Sequence, residues 1–200
     1  MKALVLSGGA SKIGFQLGVY ENLSNKEFHS FFGVSCGAIF AAMLAQNKYL
    51  QAKDLILNLK NSDIYKGSMS KLSIVFKIIT GKKHLVDMSP LRNLLEKYVK
   101  KEDFIYPAYF SYVNLENGEF ITVCTDDLKN SNDIIDAIMA SAAMPLIMPS
   151  VKINNTDNFA IQEVRKDIKK VSFQNLTKLN PNDSRVKTAL NASGTAPIYA

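Results

Sequence analysis

A serine at position 35 lies between two glycines, in Gly33-Val34-Ser35-Cys36-Gly37. The G-x-S-x-G spacing is the one that presents a nucleophilic hydroxyl at the tip of a sharp strand-to-helix turn. Side chains two residues before or after that serine would collide with the neighbouring strand and helix, and the helix N-terminus beneath it stabilises developing negative charge. A second glycine-bearing stretch, Ser7-Gly8-Gly9-Ala10-Ser11-Lys12-Ile13-Gly14, follows a short apolar run. Backbone N–H groups in such a loop can wrap a cofactor's phosphates or hold the oxyanion of an ester under attack. The plain alternative for Ser35 is a helix cap, in a run whose glycines only permit close packing.

A nucleophilic serine needs a base. A triad in the order serine, acid, histidine requires a histidine after Ser35, and His84 is the only one. It sits beside Lys82-Lys83 in a loop, with nothing to mark it as a base. His29 lies at the entry of the strand before the elbow and reads as structural or solvated. A carboxylate is therefore the better base for Ser35. Two histidines cannot build a metal site alone, and Cys36 and Cys124 give neither zinc spacing nor a disulfide framework. No metal and no cofactor is expected.

The elements that must position these groups are legible as strand–turn–helix units. Lys2 to Leu6 reads as a buried strand and Ser11 to Asn22 as a helix; Ser30 to Val34 reads as a strand, Ser35 to Gly37 as a tight turn, and Ala38 to Gln46 as an apolar helix. Repetition of that unit predicts an α/β fold, a mostly parallel sheet with helices on both faces. Helical periodicity continues over Lys48–Lys60, Ser70–Gly81 and Ser89–Lys101, the last with Ser89 as N-cap and Pro90 as first helical residue. Phe110–Leu115 and Glu119–Thr125 read as a hairpin across Glu116-Asn117-Gly118. Asn132–Met144 reads as a helix stopped by Pro145, and Met148–Ile153 holds a short strand.

At 200 residues and 47 % hydrophobic, the chain supports one core and one domain over 1–200, with 171–200 a polar, irregular tail. The net charge of +6 comes from scattered lysines and arginines, which suits loose attraction to anionic surfaces and not the reading of nucleic acid. Two thiols in a chain that needs no staples fit a reducing, cytoplasmic setting. Ala3–Leu6 is too short for a signal-peptide core, and Phe31–Ala45 too short to span a bilayer. The stretch Ser70–His84 sets Leu72, Ile74, Val75, Phe76, Ile78 and Ile79 among Lys71, Lys77, Lys82 and Lys83, so peripheral contact with an anionic membrane is weighed against a core helix with a basic edge.

Three stretches in order, LSGGASKIGFQLGV, GVSCGAIFAA and ASAAMPLIMPSV, resemble the patatin-like phospholipases over roughly Met1 to Ile153. The signatures of that family are a G-G-G-x-[RK]-G loop, G-x-S-x-G, and an Ala-Ser-x-x-x-Pro segment leading to Asp-Gly-Gly or Asp-Gly-Ala. The resemblance implies a three-layer α/β sandwich and hydrolysis of lipid acyl esters, phospholipid among them, by a Ser-Asp dyad. Carried over, Ser35 is the nucleophile, the N–H groups of Gly8, Gly9 and Ala10 form the oxyanion hole, and Lys12 takes the place of the loop's Arg or Lys, where it can meet an anionic headgroup. Ala10 stands for the third loop glycine, and Ile13 displaces the next to Gly14; a backbone donor survives the change to alanine unless φ must be positive.

The aspartate segment departs further. After Ser150-Val151-Lys152-Ile153 the chain gives NNTDNFAIQEV, in which Asp157 is the only acid of the expected turn and is followed by Asn158-Phe159 in place of glycines. In one alignment Asp157 is the base. In the other, Thr156-Asp157-Asn158 matches a later Asp-Asn of the family and the dyad segment is missing, leaving a patatin-like module that binds lipid or a protein partner without turnover. A third reading takes SGGASKIG as the nucleotide loop of short-chain dehydrogenases. Their Tyr-x-x-x-Lys has no counterpart at the required distance, Tyr49 to Lys53 being too early, and no acid closes the second strand.

Overall fold

The computed structural model describes residues 2–67, 86–144 and 147–160. The sequence's helix at 70–81, its lysine-flanked stretch and His84 fall outside them, as does the tail.

Three short strands, β1 (Ala3–Leu6), β2 (Ser30–Gly33) and β3 (Ala108–Asn114), lie side by side in parallel and in chain order. Two connecting helices, α1 (Ile13–Glu21, entered through a 3₁₀ turn at Ala10–Lys12) and α2 (Cys36–Ala45), follow β1 and β2. Because each right-handed crossover moves the same way across the sheet, both helices must fall on one face. That face carries Leu6, Phe110 and Tyr112, all buried. From Gly37 to Ala45 every residue of α2 but Ile39 is buried, as an all-round apolar helix must be.

The middle of the chain forms α3 (Tyr49–Asn58), α4 (Asn61–Ile64) and α5 (Ser89–Tyr98). Helix α5 starts one residue earlier than the sequence suggests. Asp87 accepts from both the N–H and the hydroxyl of Ser89, at 2.8 and 2.7 Å, so Met88 becomes the N-cap and Pro90 moves inside the first turn, where its missing N–H is not needed. Strand β4 (Phe120–Cys124) pairs antiparallel with β3 through the expected turn, in which Gly118 has φ 70°. Helix α6 (Ser131–Ala142) is capped by Asn130, whose side chain accepts from the Asp133 N–H at 3.0 Å.

After α6 comes a two-strand hairpin, β5 (Val151–Ile153) and β6 (Thr156–Phe159). The sequence reading has a turn where β6 runs. The turn is instead Asn154-Asn155, both left-handed at φ 52° and 66°, the conformation a two-residue hairpin needs and asparagine tolerates. Strand β6 pairs antiparallel with β3 at Val113 and Asn114, so β2 and β6 share one edge of β3, approaching from opposite ends, while β4 takes the other.

All the described helices gather on the Leu6–Phe110 face around one core. The opposite face carries the row Val5, Phe32, Tyr109 and Cys124 across four strands, with Phe32 stacked on Tyr109 at 4.3 Å and Val5 56 % exposed. The second helical layer of a three-layer sandwich is not among the described residues.

Candidate active site

Gly33 and Gly37 are required by space. A Cβ on Gly33 would stand 2.4 Å from the Gly37 carbonyl oxygen, and one on Gly37 would stand 2.4 Å from the Leu6 carbonyl oxygen and 2.5 Å from that of Ser7. The first turn of α2 therefore rests directly on the chain leaving β1, and the two glycine motifs are in contact. Between them Ser35 adopts φ 55° and ψ −125°. A helix cap has extended backbone angles and a side-chain hydrogen bond to the helix; Ser35 has neither, so it is not the cap of the plain alternative. Such an outlier persists only where the surroundings over-determine it, and these are typically functional positions.

The turn is held by Val34 N–H to Leu6 O at 3.1 Å, Gly37 N–H to Val34 O at 2.9 Å, and Ala38 N–H to Ser35 O at 2.9 Å. The N–H of Ser35 itself donates to Ser141 Oγ at 2.9 Å. Ser141 belongs to the Ala-Ser-x-x-x-Pro segment and is fully buried in the last turn of α6.

The loop after β1 is fixed from α1, where Gln16 Nε2 donates to Ser7 O at 2.6 Å and to Ser7 Oγ at 3.3 Å. Lys12 stands exposed at the end of the 3₁₀ turn, its N–H on Gly9 O at 3.0 Å. The sequence tolerates Ala10 for glycine only if φ stays negative, yet φ is 48°, so the alanine sits where glycine would be unstrained. Beside the serine, Cys36 Sγ donates to Ser7 O at 4.0 Å, and the backbone amides of Gly9 and Ala10 favour its thiolate. Burial pushes the Cys36 thiol above its ordinary pKa, and those amides, with the amides of Gly37 and Cys36, only partly offset it.

Asp157 lies within β6, where it pairs in register with Lys152, and its Oδ1 accepts from the Ser150 hydroxyl at 2.7 Å. The Asp157 carbonyl accepts from the N–H of Leu115, the residue after β3 and five residues along the chain from Phe110, the partner of Gly33. At about 3.3 Å per residue the levels of Gly33 and Asp157 lie roughly 16 Å apart along the sheet, and Ser35, two residues beyond Gly33 on the side of β6, spans part of that distance. The chain brings Ser35, the glycine loop and Ser141 together; among the described residues no hydrogen bond joins the Asp157 carboxylate to them, and it is held by Ser150. Among the described residues the Ser35 hydroxyl has no hydrogen-bond partner.

Beyond Asp157, β6 runs back towards the elbow and leads into Ala160, whose N–H donates to Ala143 O at 2.7 Å. His29 sits at the sheet edge, its Nδ1 accepting from Lys2 N–H at 3.2 Å. A cavity of about 440 Å³ lies along α5, α6 and β5, lined by Asp87, Ser89, Arg92, Asp136, Ser150 and Lys152 but not by the elbow. Among the described residues no group of His, Cys, Asp and Glu could hold a metal ion, and no helix is long and apolar enough to cross a membrane.

A family model of patatin-like phospholipases matches residues 4–162, a span that contains both glycine motifs and the Ala-Ser segment. The chain belongs to the patatin-like phospholipase family. No curated protein sequence matches it significantly. Among solved structures it is similar to VipD from Legionella pneumophila, with a TM-score of 0.53 and 14 % identity over 80 % of this chain and 45 % of that one. At that identity the likeness speaks for the α/β patatin-like fold alone, and the chain spans less than half of VipD.

Sequence reasoning missed Ser141 and Gln16 as groups that hold the patatin-like site. The signal for both is a polar residue set among apolar neighbours in a helix. In α6, Ser141 follows Ile134, Ile135, Ala137, Ile138, Met139 and Ala140, all buried.

Proposed function

We propose that this patatin-like chain is a serine acyl-ester hydrolase acting on lipid esters. The single observation that carries the reading is the backbone of Ser35, a positive φ kept by a non-glycine residue between two glycines that cannot bear a side chain. In this reading Ser35 Oγ attacks the ester carbonyl carbon and its proton passes to a carboxylate. The N–H groups of Gly8, Gly9 and Ala10 stabilise the oxyanion, and Lys12 faces an anionic headgroup. Collapse expels the alcohol with the proton, and water then releases the acyl group. Asp157 is the acid the sequence offers for the proton. To serve, its carboxylate must leave Ser150 and reach the elbow.

That requirement favours a second reading, in which the elbow and loop are intact but unserved and the chain binds lipid or a partner without turnover. Titration with a fluorophosphonate, read beside hydrolysis of a short-chain nitrophenyl ester, separates the two. Labelling at Ser35 with turnover that Ser35→Ala abolishes and Asp157→Asn lowers by at least about a hundredfold supports the dyad. Labelling without turnover supports the module. Undiminished turnover in Ser35→Ala removes the nucleophile.

A further inference from the structure

We propose that Ser141 is a positioning residue for the nucleophile, an inference that rests on the reading of Ser35 above. Among the described residues the elbow is held by three bonds that join backbone to backbone, by the Cys36 thiol donating to Ser7 O at 4.0 Å, and by the Ser35 N–H donating to Ser141 Oγ. Of these only the last uses a side chain from outside the elbow, so only Ser141 can be altered without changing the elbow's own residues. The pairing spans 106 residues and fastens the strained turn to α6, a helix packed on β3, β5 and β6 as well as on α2.

Ser141 is wholly buried on a helix face made otherwise of aliphatic side chains. A hydroxyl there is costly unless bonded, and a helical serine ordinarily turns back to its own helix. This one instead accepts from the amide of the residue that carries the attacking hydroxyl. Without it the Ser35 N–H loses its acceptor in a part-buried site, and the turn can relax away from φ 55°. Relaxation would swing Oγ away from the loop amides, and a misplacement of about 1 Å costs roughly a hundredfold in rate.

The test compares Ser141→Ala, Ser141→Thr and the unaltered chain by the kinetics of Ser35 labelling with a fluorophosphonate. A role in folding alone would lower the fraction of molecules labelled and leave the rate constant per active molecule unchanged. A positioning role lowers that rate constant, by about 10- to 100-fold in Ser141→Ala, and Ser141→Thr, which keeps the hydroxyl, recovers most of it. Where turnover is measurable, kcat falls and KM stays.

Amide exchange of Ser35 tests the contact independently of activity and should quicken at least about tenfold in Ser141→Ala while the β3 amides keep their protection. Should the alanine variant fold poorly, Ser141→Cys keeps the size with a weaker acceptor and should give an intermediate rate. An unchanged rate constant and unchanged Ser35 exchange in Ser141→Ala overturn the proposal. An unlabelled Ser35 in the unaltered chain overturns the nucleophile reading instead, and the exchange experiment still decides the contact.

Discussion

Ser35 and Ala10 both stand in the left-handed region, at φ 55° and φ 48°, where a Cβ costs roughly 1–2 kcal/mol. Glycine would relieve that strain but would lose more chain entropy on folding, roughly 0.5–1 kcal/mol, so the net gain expected at either position is up to about 1 kcal/mol. For a chain of this size Ala10→Gly and Ser35→Gly should each raise Tm by about 2–4 °C, the first keeping Ser35 reactivity and the second abolishing it. Thermal unfolding followed by circular dichroism checks this, and a lower Tm in both would mean that neither position is strained. Cys36, next to the nucleophile, gives a pH test. Burial raises its thiol pKa, so thiolate is scarce at neutral pH and iodoacetamide should modify Cys36 slowly at pH 7. The rate should climb as pH rises through and beyond the ordinary thiol value of about 8.5. Mass spectrometry of the Cys36 peptide reads the rate, and fast modification at pH 7 would contradict a buried, largely protonated thiol.

Among the elements, the hairpin of β5 and β6 decides what the elbow can do. Strands β2 and β6 meet end to end along one edge of β3, with Ser35 leaving one and Ala160 leaving the other. A carboxylate at the exit of β6 lies at the elbow's level in the sheet, whereas Asp157 points from further along. Ala160→Asp should therefore raise nitrophenyl ester turnover at least about tenfold if Ser35 lacks only a base, since a positioned general base contributes roughly 10²–10⁴. Ser35 that labels fully in that variant with no gain in turnover would place the deficit elsewhere. The elbow was legible because its rule is local: an apolar strand, two glycines that must lack Cβ atoms, and an apolar helix. The end of the chain's sheet was less so. Asn154-Asn155 is a hairpin signal, but the family pattern puts the acid itself in a turn, which sets the turn at Asp157, two residues too late. The bond from Ser35 to Ser141 was illegible because it joins residues 106 apart, and only the packing of α6 on α2 brings them together.

For the molecule as a whole, charge and exposed apolar surface bear on how a lipid ester would reach Ser35. The chain carries +6, and Phe15, 76 % exposed on α1 just beyond the glycine loop, has Val19 one turn further on, also exposed. Attraction by scattered lysines acts through solvent and is screened, with a Debye length of about 10 Å at 0.1 M salt and 3 Å at 1 M. Binding to vesicles containing anionic phospholipid should thus fall steeply between those salt concentrations, and neutral vesicles should bind weakly throughout. Each lysine near such a surface contributes about 1 kcal/mol, so if Ser70–His84 meets the membrane, reversing Lys71, Lys77, Lys82 and Lys83 to glutamate weakens binding at 0.1 M salt by at least about a hundredfold. Sedimentation with vesicles measures it. Unchanged binding after reversal would take those four lysines out of the interface, and binding indifferent to salt would mean that apolar insertion carries the contact; Phe15→Ser would then be the variant that loses it.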